Sequence, residues 1–376
     1  MTERLKVVAD GIIYQAQSTG GISRLFSEVF PRMCQLDGTA EITIFTSGSL
    51  RQRLPEHPHI QHLQIPDIGR FLKPAFLWQN IGEQTKQGWF KLWLGRGKGK
   101  IWHSTYYTIP EAWDGVQVVT VADMIYERFP DLFNGPGSDE FRELKRRCVM
   151  TADAVLSISE ATSRDLQQFY DLDPKRIHVV HLACSNVFRP LDKRDISLDG
   201  ITDRRFFLYV GSRAHYKNFH GMITAYSLWK QAGETRLLVV GPPWTSEEQR
   251  NLAELGIQDR VDLLTVVDDD TLCAFYNRAL AFIYPSLYEG FGIPLLEAMA
   301  CGCPVIASRI DTTVEVAGGC PIYFDLNEED SMIGAFDTAV REGRESPRTR
   351  GALEHAKEFS WDKTARGTLE VYRSLF

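Results

Sequence analysis

Tyr284-Pro285-Ser286-Leu287-Tyr288-Glu289-Gly290-Phe291-Gly292-Ile293-Pro294-Leu295-Leu296-Glu297-Ala298-Met299-Ala300-Cys301-Gly302-Cys303-Pro304 reads as a strand end, a glycine turn, a helix and a stop. The apolar run closing at Tyr284 is a buried strand. Gly290 and Gly292 allow a turn and a close approach of backbone to a ligand, and Pro294 belongs near the first helical position, where a missing N–H costs nothing. Gly302 ends the helix before another strand. A strand that turns at once into a helix presents N–H groups where phosphate oxygens bind, so Phe291, Gly292 and Ile293 are expected to meet a phosphate-bearing ligand. Phosphate would repel a carboxylate beside it. Glu289 and Glu297 are therefore expected to accept hydrogen bonds from hydroxyls, a sugar on one side and a ribose on the other. For either acid alone, a surface position or a balance of the helix dipole is the ordinary alternative.

Working outward, short β-branched runs recur and most are followed by a helix-length segment: 5–9, 41–46, 117–121, 154–158, 177–181, 206–210, 236–240, 260–264, 281–284 and 304–307. That alternation predicts βαβ units around parallel sheets. A chain of 376 residues with this many strands exceeds one core, so two domains are expected. Residues 186–203 carry prolines and charges with little apolar periodicity, which places the domains at 1–187 and 188–359. Ala365, Leu369 and Tyr372 fall at helical spacing, predicting a terminal helix over 360–376 that packs back on the first domain. The fold class is thus α/β, two doubly wound Rossmann-like domains facing across a cleft, with ligand-binding residues just after strands.

The run Glu289-Gly-Phe-Gly-Ile-Pro-Leu-Leu-Glu297, followed by Ala-Met-Ala-Cys-Gly-Cys-Pro-Val-Ile-Ala-Ser, closely resembles the donor-site motif of retaining GT-B enzymes of glycosyltransferase family 4. The similarity extends over the carboxyl-terminal domain and more loosely into the amino-terminal one. It implies that Glu289 contacts hydroxyls of a transferred hexose, that Glu297 binds ribose, and that the backbone between them meets the diphosphate. Tyr209-Val210-Gly211-Ser212-Arg213-Ala214-His215-Tyr216-Lys217-Asn218 resembles the second element of that family, whose basic pair holds the diphosphate in the part a metal plays elsewhere. Arg213 and Lys217 are placed to reach one anionic group together, although their spacing departs slightly from the common form. Fixed cations and helix N–H groups stabilise the charge that develops as the sugar–phosphate bond breaks.

In the first half, Gly20-Gly21-Ile22-Ser23-Arg24 resembles the family's glycine-rich loop, which makes Gly21 a donor-binding candidate, with a plain turn as the alternative. Trp102-His103-Ser104 and Val121-Ala122-Asp123-Met124 resemble its cleft segments. The family often has His-Asp at the second position, and this chain has Ala122 before Asp123. His103 and Asp123 are carried as catalytic candidates, a structural histidine being the alternative for His103.

Composition excludes other classes. A net charge of −7 argues against a protein that binds nucleic acid. No G-x-G-x-x-G follows the first strand, as a dinucleotide oxidoreductase would require. The seven cysteines are scattered without a C-x-x-C pair, which predicts reduced thiols and no metal site. Asp268-Asp269-Asp270 precedes a helix and is expected to cap it. Residues 70–100 hold seven cations and one acid interleaved with aromatics. A core helix with a basic loop is the preferred reading there, and a face resting on an anionic membrane the alternative. No secretory signal or membrane span is expected, giving a cytoplasmic protein, peripheral at the inner membrane face on that alternative. The resemblance implies a retaining, metal-independent hexosyltransferase without cofactor, taking a GDP- or UDP-hexose, mannose favoured, to a glycan or lipid-linked acceptor of surface polysaccharide. The alternatives are a silent GT-B scaffold or sugar-binding subunit, and a GT-B phosphorylase.

Overall fold

The structure is a computed structural model that describes residues 4–17, 20–65, 95, 97–110, 113–135, 137–192, 204–328 and 330–376. The chain divides into two compact units, Met1–Leu182 together with Trp361–Phe376, and Ala183–Ser360. The division thus falls at 182/183, slightly before the Pro- and charge-rich stretch marks a linker.

The first unit is built on β1 (Leu5–Asp10), β2 (Ala40–Ser47), β3 (Ile60–Ile65), β4 (Ile101–Ser104), β5 (Val116–Val121), β6 (Ala154–Ser157) and β7 (Ile177–Val179). They form one parallel sheet in the order β3-β2-β1-β4-β5-β6-β7. All four residues of β4 and of β6 are buried, as expected for strands covered on both faces. The helix Gly21–Leu36 buries Leu25, Phe26, Val29, Phe30 and Met33 against the sheet. The terminal helix Trp361–Ser374 lies beside it, burying Trp361, Ala365, Leu369 and Tyr372. Burial of each large apolar side chain there contributes about 1.5–3 kcal/mol. Polar ties fix the seam: Thr364 Oγ1 donates to His181 O at 2.8 Å, and Arg32 Nε to Asp362 at 3.1 Å.

The second unit contains β8 (Phe206–Val210), β9 (Arg236–Val240), β10 (Val261–Leu264), β11 (Ala281–Tyr284), β12 (Val305–Ser308) and β13 (Ile322–Phe324). Its sheet is also parallel, in the order β10-β9-β8-β11-β12-β13. Each sheet therefore reverses strand order once, between β1 and β4 and between β8 and β11. Doubly wound sheets bind ligands at that reversal, outside the carboxyl ends of the strands.

All seven cysteines are free thiols. Asp268 caps the helix Asp269–Arg278, accepting from Thr271 N at 2.8 Å. Residues 66–94 and 96, the bulk of the basic aromatic segment, lie outside the described residues, as do 193–203 of the expected linker. Among the described residues no helix is long and apolar enough to cross a membrane.

Candidate active site

The reversal point of the second sheet brings two loops together. After β8 the chain runs through Gly211 into a short 3-10 turn, His215–Lys217, and Asn218, at φ 52°, redirects it into the helix Phe219–Leu228. After β11 it passes Ser286 and Glu289 to the helix Ile293–Ala300, with Pro294 in the first turn. Gly292 caps that helix at φ 105°, ψ 55°, and a Cβ there would lie 3.1 Å from Leu295 Cδ1 and 3.3 Å from Tyr284 Oη. Leu295 N is taken by Gly292 O, and Pro294 has no N–H, so Gly292 and Ile293 supply the amides at the helix start.

The two loops meet in an ion pair. Lys217 Nζ donates to Glu289 Oε1 at 2.6 Å and Oε2 at 2.8 Å. Ser286 Oγ donates to Oε1 at 2.6 Å, and Thr312 Oγ1 holds the Glu289 carbonyl at 2.7 Å. Glu289 is 9% exposed, and Lys217 lies 5.3 Å from the Tyr216 ring centre and 5.9 Å from that of Tyr284. The Tyr284 phenol is pushed well above its usual pKa by burial and by the Glu289 carboxylate, so it stays protonated as a donor. Glu297, buried on the helix, accepts from Tyr276 Oη at 3.2 Å. Phe291 is buried, its ring edge-on to Phe359.

Arg213 does not join Lys217 on one group. Its guanidinium forks onto Glu248, Nε to Oε1 at 2.6 Å and Nη2 to Oε2 at 3.0 Å, and Nη2 also donates to Pro243 O at 2.9 Å. It stacks 4.4 Å from the Trp244 ring centre with its side chain only 2% exposed. Glu248 is held below its usual pKa: the Arg213 bond and the Thr245 amide outweigh the opposing effect of burial. Arg213 Nη1 is buried with no protein partner, tight against Gly241, where an added Cβ would lie 3.1 Å from it. The expectation of two adjacent cations thus becomes one cation on Glu289 and a second locked to Glu248 with one spare nitrogen, Nη1.

In the first unit, Gly21 opens the helix Gly21–Leu36 directly behind Gly20. Asp123 follows β5 and accepts from Ile125 N at 3.1 Å through Oδ1, while its carbonyl receives Lys145 Nζ at 2.7 Å. His103 departs from the catalytic reading. It is 1% exposed, with Nε2 2.8 Å from Thr120 Oγ1 and Nδ1 bonded to the Tyr372 hydroxyl of the terminal helix. Burial lowers its pKa to about 3. Both ring nitrogens are occupied inside the core, so His103 ties helix to sheet and is not presented to solvent.

The reversal point of the first sheet holds a group that sequence reasoning missed. Asp10, at the end of β1, is buried and accepts from Thr105 N at 3.0 Å and from the Thr105 and Thr108 hydroxyls. Burial raises its pKa against those bonds. Ser286 and Thr312, which fix Glu289, were also missed. Ser286 lies inside the decisive stretch at a spacing of three from Glu289, and that proximity was the available signal. Nothing in the sequence marks Thr312.

Comparison with known proteins adds to this geometry. The family described as Glycosyl transferases group 1 matches residues 194–320. O-antigen chain mannosyltransferase B of Escherichia coli is 26% identical, covering 94% of this chain and 96% of its own. O-antigen chain mannosyltransferase RfbU of Salmonella typhimurium is 29% identical over 64% of this chain and 65% of its own. Among solved structures, Anabaena Alr3699/HepE in complex with UDP and glucose superposes with a TM-score of 0.75 at 16% identity, covering 98% of this chain and 100% of that one. Sucrose-phosphate synthase from Thermosynechococcus elongatus gives 0.74 at 17% identity, covering 99% of both. The fold is that of GT-B glycosyltransferases, two parallel-sheet Rossmann-like units. The similarities support a hexosyltransferase of the group 1 type. Among the described residues no three His, Cys, Asp or Glu side chains converge as a metal-ligand set.

Proposed function

We propose that the protein is a retaining glycosyltransferase that moves a hexose, mannose by preference, from a GDP- or UDP-linked donor to a glycan or lipid-linked acceptor in surface polysaccharide assembly, without metal or cofactor. The observation that carries this reading is the Lys217–Glu289 pair at the reversal point of the second sheet, beside the glycine-capped helix start. A cation there meets the charge that grows on the diphosphate as the glycosidic bond breaks, and the helix-start amides of Gly292 and Ile293 share it. Two of the three Lys217 donors rest on Glu289 until a phosphate takes them over. Glu289, fixed by Ser286 and Thr312, then accepts from sugar hydroxyls, and Glu297 accepts from ribose. Arg213 contributes through Nη1 alone and otherwise positions the loop. In a retaining course the departing phosphate takes the acceptor proton on the same face, so a glycosidase-type carboxylate pair is not needed.

The mannosyltransferase relatives support the sugar and the setting, and the neighbour solved with UDP and glucose supports a nucleotide-sugar donor. The test is transfer from GDP-mannose and UDP-hexoses, with chelator, to a lipid-linked oligosaccharide, with the anomeric configuration of the product read by NMR. Transfer with retained configuration is expected. Inverted product, a strict need for added divalent metal, or nucleotide binding without turnover on any acceptor would each sink part of the reading. The last would point to a silent sugar-binding subunit.

A further inference from the structure

The second unit holds a cavity of about 670 Å³ at the end of its sheet opposite Lys217 and Glu289. Its wall includes Phe206, which opens β8, Leu280, which precedes β11, and Gly302, which precedes β12. In a parallel sheet these mark the amino-terminal edge. The helix Ile293–Ala300 separates the two places, with its start in the candidate active site and its end at the cavity, about 12 Å apart by helical rise.

The wall is strongly cationic in a chain where acids outnumber bases 49 to 42. Among the described residues, five arginines, Arg204, Arg205, Arg278, Arg344 and Arg350, line the cavity together with one acid, Glu345. Arg344 is fixed without a carboxylate, donating through Nη1 to Tyr276 O and through Nη2 to Cys301 O, both at 2.8 Å. Arg350 donates to the Glu345 carbonyl at 2.7 Å, again leaving its charge unneutralised by that bond. Arg205 and Arg278 are exposed and have no ion-pair partner among the described residues. Leu191 and Leu353 add an apolar part to the same wall.

We propose that this cavity is a second binding site, separate from the donor site, for an organic phosphate of nucleotide size. The volume is that of a small-molecule pocket rather than a flat contact surface. Arg205 and Arg278, which have no ion-pair partner among the described residues, offer planar forks that match phosphate oxygens, and their like charges beside Arg350 are relieved by a multivalent anion. The leucines accommodate the organic moiety. This inference does not depend on the transferase reading.

The experiment uses the full chain carrying Lys217→Ala, to weaken the donor site, and titrates ATP and inorganic tripolyphosphate by calorimetry at fixed ionic strength. Saturable binding of ATP at one site is expected, weakened at least tenfold by adding Arg278→Glu with Arg350→Glu. If that pair of reversals lowers the melting temperature, Arg278→Gln alone, at an exposed position, is read in its place and should weaken binding severalfold. Absence of saturable binding, or binding indifferent to Arg278 and Arg350, overturns the proposal. Retention on phosphatidylglycerol vesicles without ATP binding also overturns it, and would assign the patch to a membrane surface.

Discussion

Lys217 and Glu289, 72 residues apart, meet through two hydrogen bonds of 2.6 and 2.8 Å across the point where the second sheet reverses its strand order. Each residue comes from a different βα loop, and each loop is held by its own contacts, so the pair is a consequence of topology. The resting pair keeps a cation and an anion neutralised at low exposure until a ligand carrying both phosphate and hydroxyls separates their tasks.

Replacing Lys217 with Met or Glu289 with Gln should therefore cost turnover far more than folding. Loss of one charge-stabilising group raises the barrier by about 3 kcal/mol, roughly a hundredfold in kcat. Stability should fall by about 1.5 kcal/mol for either change, the scale of a hydrogen bond to a charged group. A double-mutant cycle on kcat with saturating donor checks this. Additive effects of the two changes would mean that the residues do not act as a unit.

Gly292→Ala forces a side chain into φ 105° and against Leu295 and Tyr284. Backbone strain of this kind costs about 1–3 kcal/mol. Because the strain falls on the helix start that supplies the amides, donor KM should rise along with the loss in melting temperature. A stability loss with donor KM unchanged would separate this turn from phosphate binding.

His103 gives a pH signature of a structural residue. Its folded pKa is lowered to about 3 from the usual 6.5 by burial. The folded state thus binds fewer protons than the unfolded one, so stability is full above about 6.5 and falls as pH drops toward 3. Between pH 7 and pH 5 this group should remove about 2 kcal/mol. His103→Gln keeps partners for Tyr372 and Thr120 but cannot titrate. Its melting temperature should decline less over that interval than that of the unmodified chain, with turnover retained. A large kcat loss in His103→Gln at unchanged stability would restore a catalytic role.

The strands that flank the second sheet's reversal point, Phe206–Val210 and Ala281–Tyr284, were legible because they are apolar runs buried on both faces. Two of the four edge strands were not legible. The strand Ile60–Ile65 reads IQHLQI with three positions exposed, and Ile322–Phe324 has only three residues, so neither carries a periodic signal. The glycine turn and helix start at Gly292 were readable because one continuous stretch sets their chemistry. For His103 the sequence left a catalytic and a structural reading open, because its partner Tyr372 lies 269 residues away and a strand-end histidine alone does not show whether both nitrogens are occupied. The bond of Arg213 to Glu248 was not legible for the same reason, the acid standing 35 residues on.

Arg213 gives the last test, because its geometry separates positioning from direct contact. The guanidinium lies over the Trp244 ring, is bidentate on Glu248, and leaves only Nη1 without a protein partner. Lysine cannot reproduce the fork or the stack. Arg213→Lys should therefore lose about 1.5–3 kcal/mol of stability, the range for hydrogen bonds to charged groups. Glu248→Gln, which spares Nη1 but weakens the fork, should lose stability while leaving donor KM within about twofold. If Nη1 meets the diphosphate, Arg213→Lys raises donor KM well beyond Glu248→Gln at matched stability. Equal KM values in the two variants would make Arg213 a purely positioning residue and leave Lys217 as the cation that meets the phosphate.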